Sequence, residues 1–341
     1  MKEGRRKMTY TIKDVAKKAN VSIATVSRIV NNQTGYSEKT KKKVLQAIEE
    51  LGYHPNAIAR GLINKRTHTI GVLFPELSSM LVTDILNGVE NAAHEAGSSV
   101  IVCHTKSKTM NYLRLLNEKR IDGIIFTSEI LTNEYYEYIK KMNVPLVLLA
   151  TESYAHPVPY VKVSDTHAAY SATQYLIKHG HNQIGMISGN KNDKVAGYLR
   201  ITGFKNALND YNIPFTEDQI AYCKGFRYQD GIDGLEMLIK KSPNLTAVFA
   251  ASDEMAIGAI FKAYKLGIKV PEELSIIGYD NLKMAAMSIP PLTSVAQPLY
   301  EMGEMAVKMI FNMLENNQAV ESRIMPHQIV DRESVIKRET N

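Results

Sequence analysis

Thr11-Ile12-Lys13-Asp14-Val15-Ala16-Lys17-Lys18-Ala19-Asn20-Val21-Ser22-Ile23-Ala24-Thr25-Val26-Ser27-Arg28 is the stretch that decides how the chain begins. Ile12, Val15, Ala16 and Ala19 recur at i, i+3, i+4 and i+7, which draws one apolar face along a first helix. Asn20-Val21-Ser22 interrupts it, and Ser22 is a residue type that caps the start of a second helix through Val30. Two short helices joined by a tight turn make a helix-turn-helix, whose second helix enters the DNA major groove. Val26, Ile29 and Val30 anchor that helix, leaving Ile23, Ala24, Thr25, Ser27 and Arg28 for the groove beside the capping Ser22. An arginine such as Arg28 can fork onto the edge of a guanine. Thr25, Ser27 and Asn31 can bond phosphates, which sets position without reading sequence.

Outward from this stretch, Asn31-Asn32-Gln33-Thr34-Gly35 reads as a loop. Ser37 then caps a third helix with Val44, Leu45, Ile48 and Leu51 facing inward, and Gly52 ends it. Residues 9–55 are thus expected to form an all-helical DNA-binding domain behind a basic extension, residues 1–8. Charge supports the division. Residues 1–66 hold fifteen Lys or Arg against five acids, a net +10, whereas the whole chain nets +6, so the remaining 275 residues net −4. Such asymmetry fits a polyanion-binding module attached to a near-neutral body. Residues 56–68 read as a hinge helix and linker. Seven residues, Asn56 to Leu62, are too few to hold a helix alone, and Gly61 weakens it further.

From Thr69 the pattern changes to short apolar runs alternating with amphipathic segments. Strands are predicted at 69–74, 99–105, 123–128, 145–150, 160–164, 184–189, 247–252 and 275–280. Helices are predicted near 81–97, 133–143, 166–180, 198–211, 228–241, 253–266 and 299–316. This rhythm implies a doubly wound α/β architecture, with too many strands for one sheet and therefore two lobes around a cleft. Cys103 and Cys223 are the only cysteines and are expected to be reduced core residues. No 18-residue apolar run suggests a membrane span, and no apolar signal core follows the charged N-terminus, so a cytoplasmic location is expected. No Walker loop, nucleophile elbow, H-E-x-x-H or metal-ligand spacing occurs, so neither an enzyme nor a bound cofactor or metal is expected. His179-Gly180-His181 is assigned to the turn before strand 184–189.

The chain resembles the lactose/galactose repressor (LacI/GalR) family over nearly its whole length. The resemblance rests on Thr11-Ile12-Lys13-Asp14-Val15-Ala16, Thr25-Val26-Ser27-Arg28, Leu51-Gly52-Tyr53, Pro55-Asn56-Ala57, Asp122-Gly123-Ile124-Ile125, Ser252-Asp253-Glu254-Met255-Ala256, Ile277-Gly278-Tyr279-Asp280-Asn281 and Pro291-Leu292-Thr293-Ser294-Val295. It implies a periplasmic-binding-protein-like effector and dimerisation domain over 69–341. The N-lobe would take about 69–164 and 297–325, the C-lobe about 165–293 and 326–341. It also implies a homodimer on a pseudo-palindromic operator of duplex DNA, repression of carbohydrate-metabolism genes, and a hinge that folds on the operator. Asn56 and Ala59 would touch DNA there, and Leu62 would wedge into the minor groove.

For a sugar-like effector the resemblance points to Ser79, Asp165, Arg200, Phe226, Ser252, Asp253 and Asp280. Asp253 has a second reading as a helix cap, Phe226 as a core residue, and Arg200 as a member of a surface ion pair. Leu81 and Val82 replace an aromatic pair usual in the family, so one stacking platform is missing. A phosphoprotein corepressor in place of the small effector, as in catabolite control proteins, is the alternative inside the family. It would dock on Gln297-Pro298-Leu299-Tyr300-Glu301-Met302-Gly303…Lys308, where Glu301 and Lys308 replace the usual Asp and Arg. A secreted sugar-binding protein is the rival outside it.

Overall fold

The computed structural model describes residues 10–30, 34–53, 66–316 and 318–338. The extension 1–8, Asn31 and the hinge positions Asn56, Ala59 and Leu62 lie outside the described residues. The chain divides into two units, residues 1–67 and 68–341.

Among its described residues the first unit packs three helices, α1 (Ile12–Ala19), α2 (Ile23–Val30) and α3 (Glu38–Leu51). Its core is Val15, Ala16, Ala19, Val26, Ile29, Val44 and Ala47, with Ile12, Val30, Ile48 and Leu51 packed around them. Local chemistry fixes each helix end. Thr11 and Asp14 form a reciprocal capping box at the start of α1. Asn20 takes the left-handed conformation at φ 53°, and the Val21 N–H reaches back to the Ala16 carbonyl at 3.0 Å. That pair of features turns the chain sharply into α2. Leu45 is a correction: it stands 48% exposed, and Ala47 occupies the inward position instead. The buried stripe runs 44, 47, 48, 51, and residue 45 lies about 100° around the helix from Val44.

The second unit holds two six-stranded sheets. One has the order β11-β5-β4-β3-β1-β2, built from β1 (Thr69–Phe74), β2 (Ser99–His104), β3 (Gly123–Thr127), β4 (Leu146–Leu149), β5 (Tyr160–Val163) and β11 (Arg323–Met325). The other has the order β12-β10-β9-β8-β6-β7, built from β6 (Ile184–Ser188), β7 (Ile220–Tyr222), β8 (Ala247–Ala250), β9 (Ser275–Asp280), β10 (Thr293–Ala296) and β12 (Gln328–Val330). Every pairing is parallel except β10 with β12. β1, β3, β4, β6, β8 and β9 are buried almost throughout, as strands covered on both faces must be.

Nine helices accompany the sheets among the described residues: α4 (Met80–Glu95), α5 (Thr109–Glu118), α6 (Asn133–Met142), α7 (Asp165–Lys178), α8 (Gly197–Asp210), α9 (Tyr228–Lys241), α10 (Asp253–Lys265), α11 (Lys283–Met287) and α12 (Leu299–Asn316). The chain passes between the sheets three times, at 163–165, 296–299 and 325–328. In the first lobe α4 crosses α12 at two glycines. A Cβ on Gly88 would collide with the Tyr300 carbonyl, and one on Gly303 with the Ile85 carbonyl. Four strands and two helices escaped the sequence pattern. β7, β11 and β12 have three residues each, β10 buries Thr293 and Ser294, and α11 spans barely one turn. α5 fully buries only two apolar residues, Leu113 and Leu116, too short a stripe to stand out.

Candidate nucleic-acid interface and ligand cleft

On the first unit α2 buries Val26 and Ile29 and presents Ser22, Ile23, Ala24 and Arg28 to solvent. Ile23 is 45% exposed on a helix whose other isoleucine is buried, a surface that gains from contact with thymine methyls. The Ser22 hydroxyl accepts the Thr25 N–H at 3.0 Å and lies 2.9 Å from the Thr25 hydroxyl. Two hydroxyls sharing one hydrogen bond leave one proton for an outside acceptor such as a phosphate oxygen. Thr25 and Ser27 are half-buried beside them. Gly35, at φ +103°, lies under the Arg28 guanidinium, where a Cβ would sit 3.5 Å from Nη1.

In the second unit a cavity of about 370 Å³ opens between the lobes. Helices α7 to α10 and α4 all begin at its walls. Ser79, Asp165, Arg200, Phe226, Ser252 and Asp280 line it together. Asp253 does not. It is fully buried behind the wall, accepting the Leu282 N–H on one oxygen and the Ser294 hydroxyl on the other, both at 2.6 Å. It fastens the loop after β9 to α10, so its role is in the framework and not in ligand contact.

Arg200 is the centre of the cavity floor, 7% exposed. Its Nε donates to Asp165 Oδ1 at 2.9 Å, its Nη1 donates to the Ala251 carbonyl, and its plane lies 3.8 Å from the centre of the Tyr279 ring. The Tyr279 hydroxyl donates to the same Asp165 oxygen at 3.2 Å. Arg200 is thus in an ion pair, as one reading allowed, but a buried one. Phe226 is half-buried, the tip of its ring against Gly189 and the Arg200 guanidinium over its ring at 5.6 Å from the centroid, so it combines wall and core roles. Ser252 caps α10 through the Met255 N–H and donates to the Phe226 carbonyl at 2.8 Å, which holds that aromatic loop in place.

Asp280 ends β9 in a left-handed backbone at φ 110°, an unusual conformation that recurs at functional sites. Its Oδ1 accepts the Gln297 amide at 2.7 Å, on the second crossing between lobes. Burial pushes its carboxyl up to about 7, with Arg200 opposing the shift. Burial and the neighbouring Asp280 together raise Asp253 to about 8.

Several cavity residues were missed from sequence. Lys162 is a buried lysine on β5, 2.7 Å from Glu152 and 3.9 Å from Asp165. A lysine inside the apolar run Tyr160-Val161-Lys162-Val163 was a readable signal. Arg227 reaches across the cleft to Ser78 at 2.8 Å and Glu76 at 3.5 Å, while Glu254 accepts from the Ser79 hydroxyl and the Met80 N–H at 3.4 Å. No local pattern marks such cross-lobe contacts. Leu81 and Val82 line the cavity where the aromatic pair is missing, and Phe74 joins them from the end of β1.

The histidines of the 179–181 turn have protein partners. His181 bonds Thr246 and the Ile336 carbonyl, and His179 bonds the Tyr175 carbonyl. Both cysteines are free thiols, and burial raises them to about 11 for Cys103 and about 12 for Cys223. No helix among the described residues is long and apolar enough to cross a membrane.

Residues 11–56 match the family described as bacterial regulatory proteins, lacI family, and residues 67–333 match periplasmic binding proteins and sugar binding domain of LacI family. Catabolite control protein A of Priestia megaterium is 39% identical over 332 residues, spanning 96% of this chain and 99% of that protein. Among solved structures, the Lac repressor dimer bound to operator and the anti-inducer ONPF superposes with a TM-score of 0.85 at 27% identity, over 96% of this chain and 99% of that one. The complex of the transcriptional regulator CelR with cellobiose gives 0.73 at 29% identity, over 95% and 99%. The two lobes and the helical N-terminal unit are those of these regulators, and the chain belongs to the LacI family of DNA-binding transcription regulators.

Proposed function

We propose that this regulator is a cytoplasmic homodimeric repressor of carbohydrate-metabolism genes, released from or recruited to its operator by a small sugar-like effector in the interlobe cleft. The observation that carries this reading is the cavity itself. Its volume of about 370 Å³ is within the range of small-molecule sites. Its floor joins an arginine, two carboxylates and an aromatic ring, a set suited to hydroxyls and the apolar face of a sugar. The same groups touch two of the three crossings between lobes: Asp165 begins α7 after the first, and Asp280 holds Gln297 on the second. A ligand that displaces either partner changes the lobe angle, and a coupling of about 1–3 kcal/mol moves operator occupancy by roughly 5–150-fold.

The test is footprinting on genomic DNA with and without candidate sugars. Paired half-sites about one helical turn apart and a sugar-dependent change in protection are expected. A single unpaired half-site refutes the dimer, and protection indifferent to every sugar refutes the cleft. Replacing Arg28 by Ala is expected to cost about 1–3 kcal/mol of operator affinity and to relax the preference at one base position.

The phosphoprotein alternative draws on the likeness to catabolite control protein A. Tyr300, Glu301 and Lys308 share the outer side of α12, but the Lys308 ammonium pairs with Glu304 at 3.5 Å. An ammonium also lacks the forked geometry with which arginine grips a phosphate. These two facts favour the small effector.

A further inference from the structure

Five helices begin at the cleft wall, and a helix N-terminus is a natural seat for a phosphate or carboxylate. Here a carboxylate of the protein itself stands at or beside each of the five starts. At α4, Ser79 makes no cap bond with its side chain, and the Met80 N–H is served from the opposite lobe by Glu254. α7 has Asp165 as its first residue. At α8, Asp193 accepts the Gly197 N–H at 3.1 Å and the Val195 N–H at 2.9 Å. At α9, Asp230 accepts the Arg227 N–H at 3.0 Å and the Gly225 N–H at 3.3 Å. α10 is capped by Ser252 and carries Asp253 and Glu254 in its first turn.

The charges of the lining point the same way. Three cations, Lys162, Arg200 and Arg227, face five acids, Glu76, Asp165, Asp193, Glu254 and Asp280. Each cation already has a carboxylate within 4.0 Å: Glu152 for Lys162, Asp165 for Arg200, and Glu76 and Glu254 for Arg227. With the Asp280 carboxyl raised to about 7 and so only partly ionised near neutral pH, a ligand phosphate still meets an acidic excess in a half-enclosed site, where repulsion is weakly screened.

We infer that this cleft takes an uncharged polyol and discriminates against its phosphorylated or carboxylated counterparts, with Asp193 and Glu254 as the excluding residues. The inference rests on the cleft being the effector site and narrows the chemistry of what enters it. Asp280 and the remaining Arg200 N–H groups offer an acceptor and donors to neutral hydroxyls. Among the described residues, every cation of the lining has a carboxylate partner that weakens its pull on a phosphate.

The experiment is calorimetry on the full-length protein at fixed ionic strength with paired probes: ribose and ribose 5-phosphate, glucose and glucose 6-phosphate, and inorganic phosphate alone. The wild type is compared with the double variant Asp193→Asn, Glu254→Gln, which keeps both cap acceptors and removes both charges. For the wild type the neutral sugar of a binding pair should be preferred by about tenfold or more. In the double variant that preference should shrink, and inorganic phosphate should bind more tightly than to the wild type. A phosphorylated sugar that binds the wild type as well as its neutral partner overturns the inference. An unchanged phosphate affinity in the double variant overturns it too. If no sugar of either kind binds, the cleft reading falls, while the phosphate comparison still decides whether these carboxylates exclude anions.

Discussion

The two units use charge in opposite ways. The helical unit concentrates cations at its surface and leaves Arg28 exposed, with solvent and the left-handed Gly35 beside it. The cleft of the larger unit buries Lys162 and Arg200 and gives them, and the half-buried Arg227, a carboxylate each. A reader of DNA needs its charges unspent, because the attraction comes from releasing counterions around phosphates. A cleft for an uncharged ligand needs its charges spent, because an unpaired buried ion would cost more than a few hydroxyl contacts return. The same residue type therefore has different consequences when lost from each place.

The largest effect is expected at Arg200. Truncation to Ala leaves Asp165 facing only Lys162 at 3.9 Å, the Tyr279 hydroxyl and a hole above that ring. Breaking a buried pair on one side typically costs about 3–5 kcal/mol. Arg200→Ala should lower the denaturation midpoint of the larger unit and abolish the effector response. Operator binding without effector should survive wherever the protein remains folded. If the double variant Arg200→Met, Asp165→Leu is no more stable than Arg200→Ala, the penalty is lost packing and the contrast of paired against unpaired charge fails here.

Asp280 gives an effect set by pH. A carboxyl raised from about 4 to about 7 by folding binds a proton that the unfolded chain has lost across that window. Stability from this group is therefore full below the unfolded value and falls as pH rises through about 7. Asp253 acts in the same direction, up to about 8. Asp280→Asn keeps an acceptor for Gln297 and removes the charge. Its melting temperature relative to the wild type should rise between pH 4 and pH 8. The rise is worth up to about 4 kcal/mol, since each tenfold change in proton affinity is worth about 1.4 kcal/mol. A difference that does not change with pH would mean that Asp280 is an ordinary charged surface group.

The division of labour was half legible in the sequence. Residues 12–30 gave both helices, the turn and the anchors, because every signal there is local: a stripe at helical spacing, the Asn20-Val21-Ser22 break and a serine cap. The error at Leu45 came from taking a neighbour of the stripe for a member of it. In the larger unit the strands at the sheet centres, β1, β3, β4, β6, β8 and β9, were plain apolar runs, whereas edge strands of three residues carried no pattern. In the cleft, Arg200, Asp165 and Asp280 were found through the family likeness, and the structure brings them within one floor. Glu254 and Arg227 were not found, since their partners Ser78, Ser79 and Glu76 are about 150 or more residues away in sequence and only the closing of two lobes joins them. Asp253 shows the converse: its place beside Ser252 suggested a ligand contact, yet its side chain turns inward to Leu282 and Ser294.

The smallest effect sharpens the contrast at the other unit. Ser37 caps α3, accepting the Thr40 N–H at 3.2 Å and pairing with the Thr40 hydroxyl at 2.9 Å. Removing such a cap typically costs about 1 kcal/mol. In the larger unit, with its two extensive cores, that sum would pass unnoticed. Among its described residues the core of the helical unit is seven buried side chains, of which three are alanines, and small domains have little stability in reserve. Ser37→Ala should therefore lower the temperature at which operator binding is lost while leaving ligand affinity in the cleft unchanged. The measurement is a pair of melting curves on one sample, one followed by binding to labelled operator and one by ligand calorimetry at successive temperatures. If both curves shift together, the two units share one folding transition, and α3 is supported by more than its own short core.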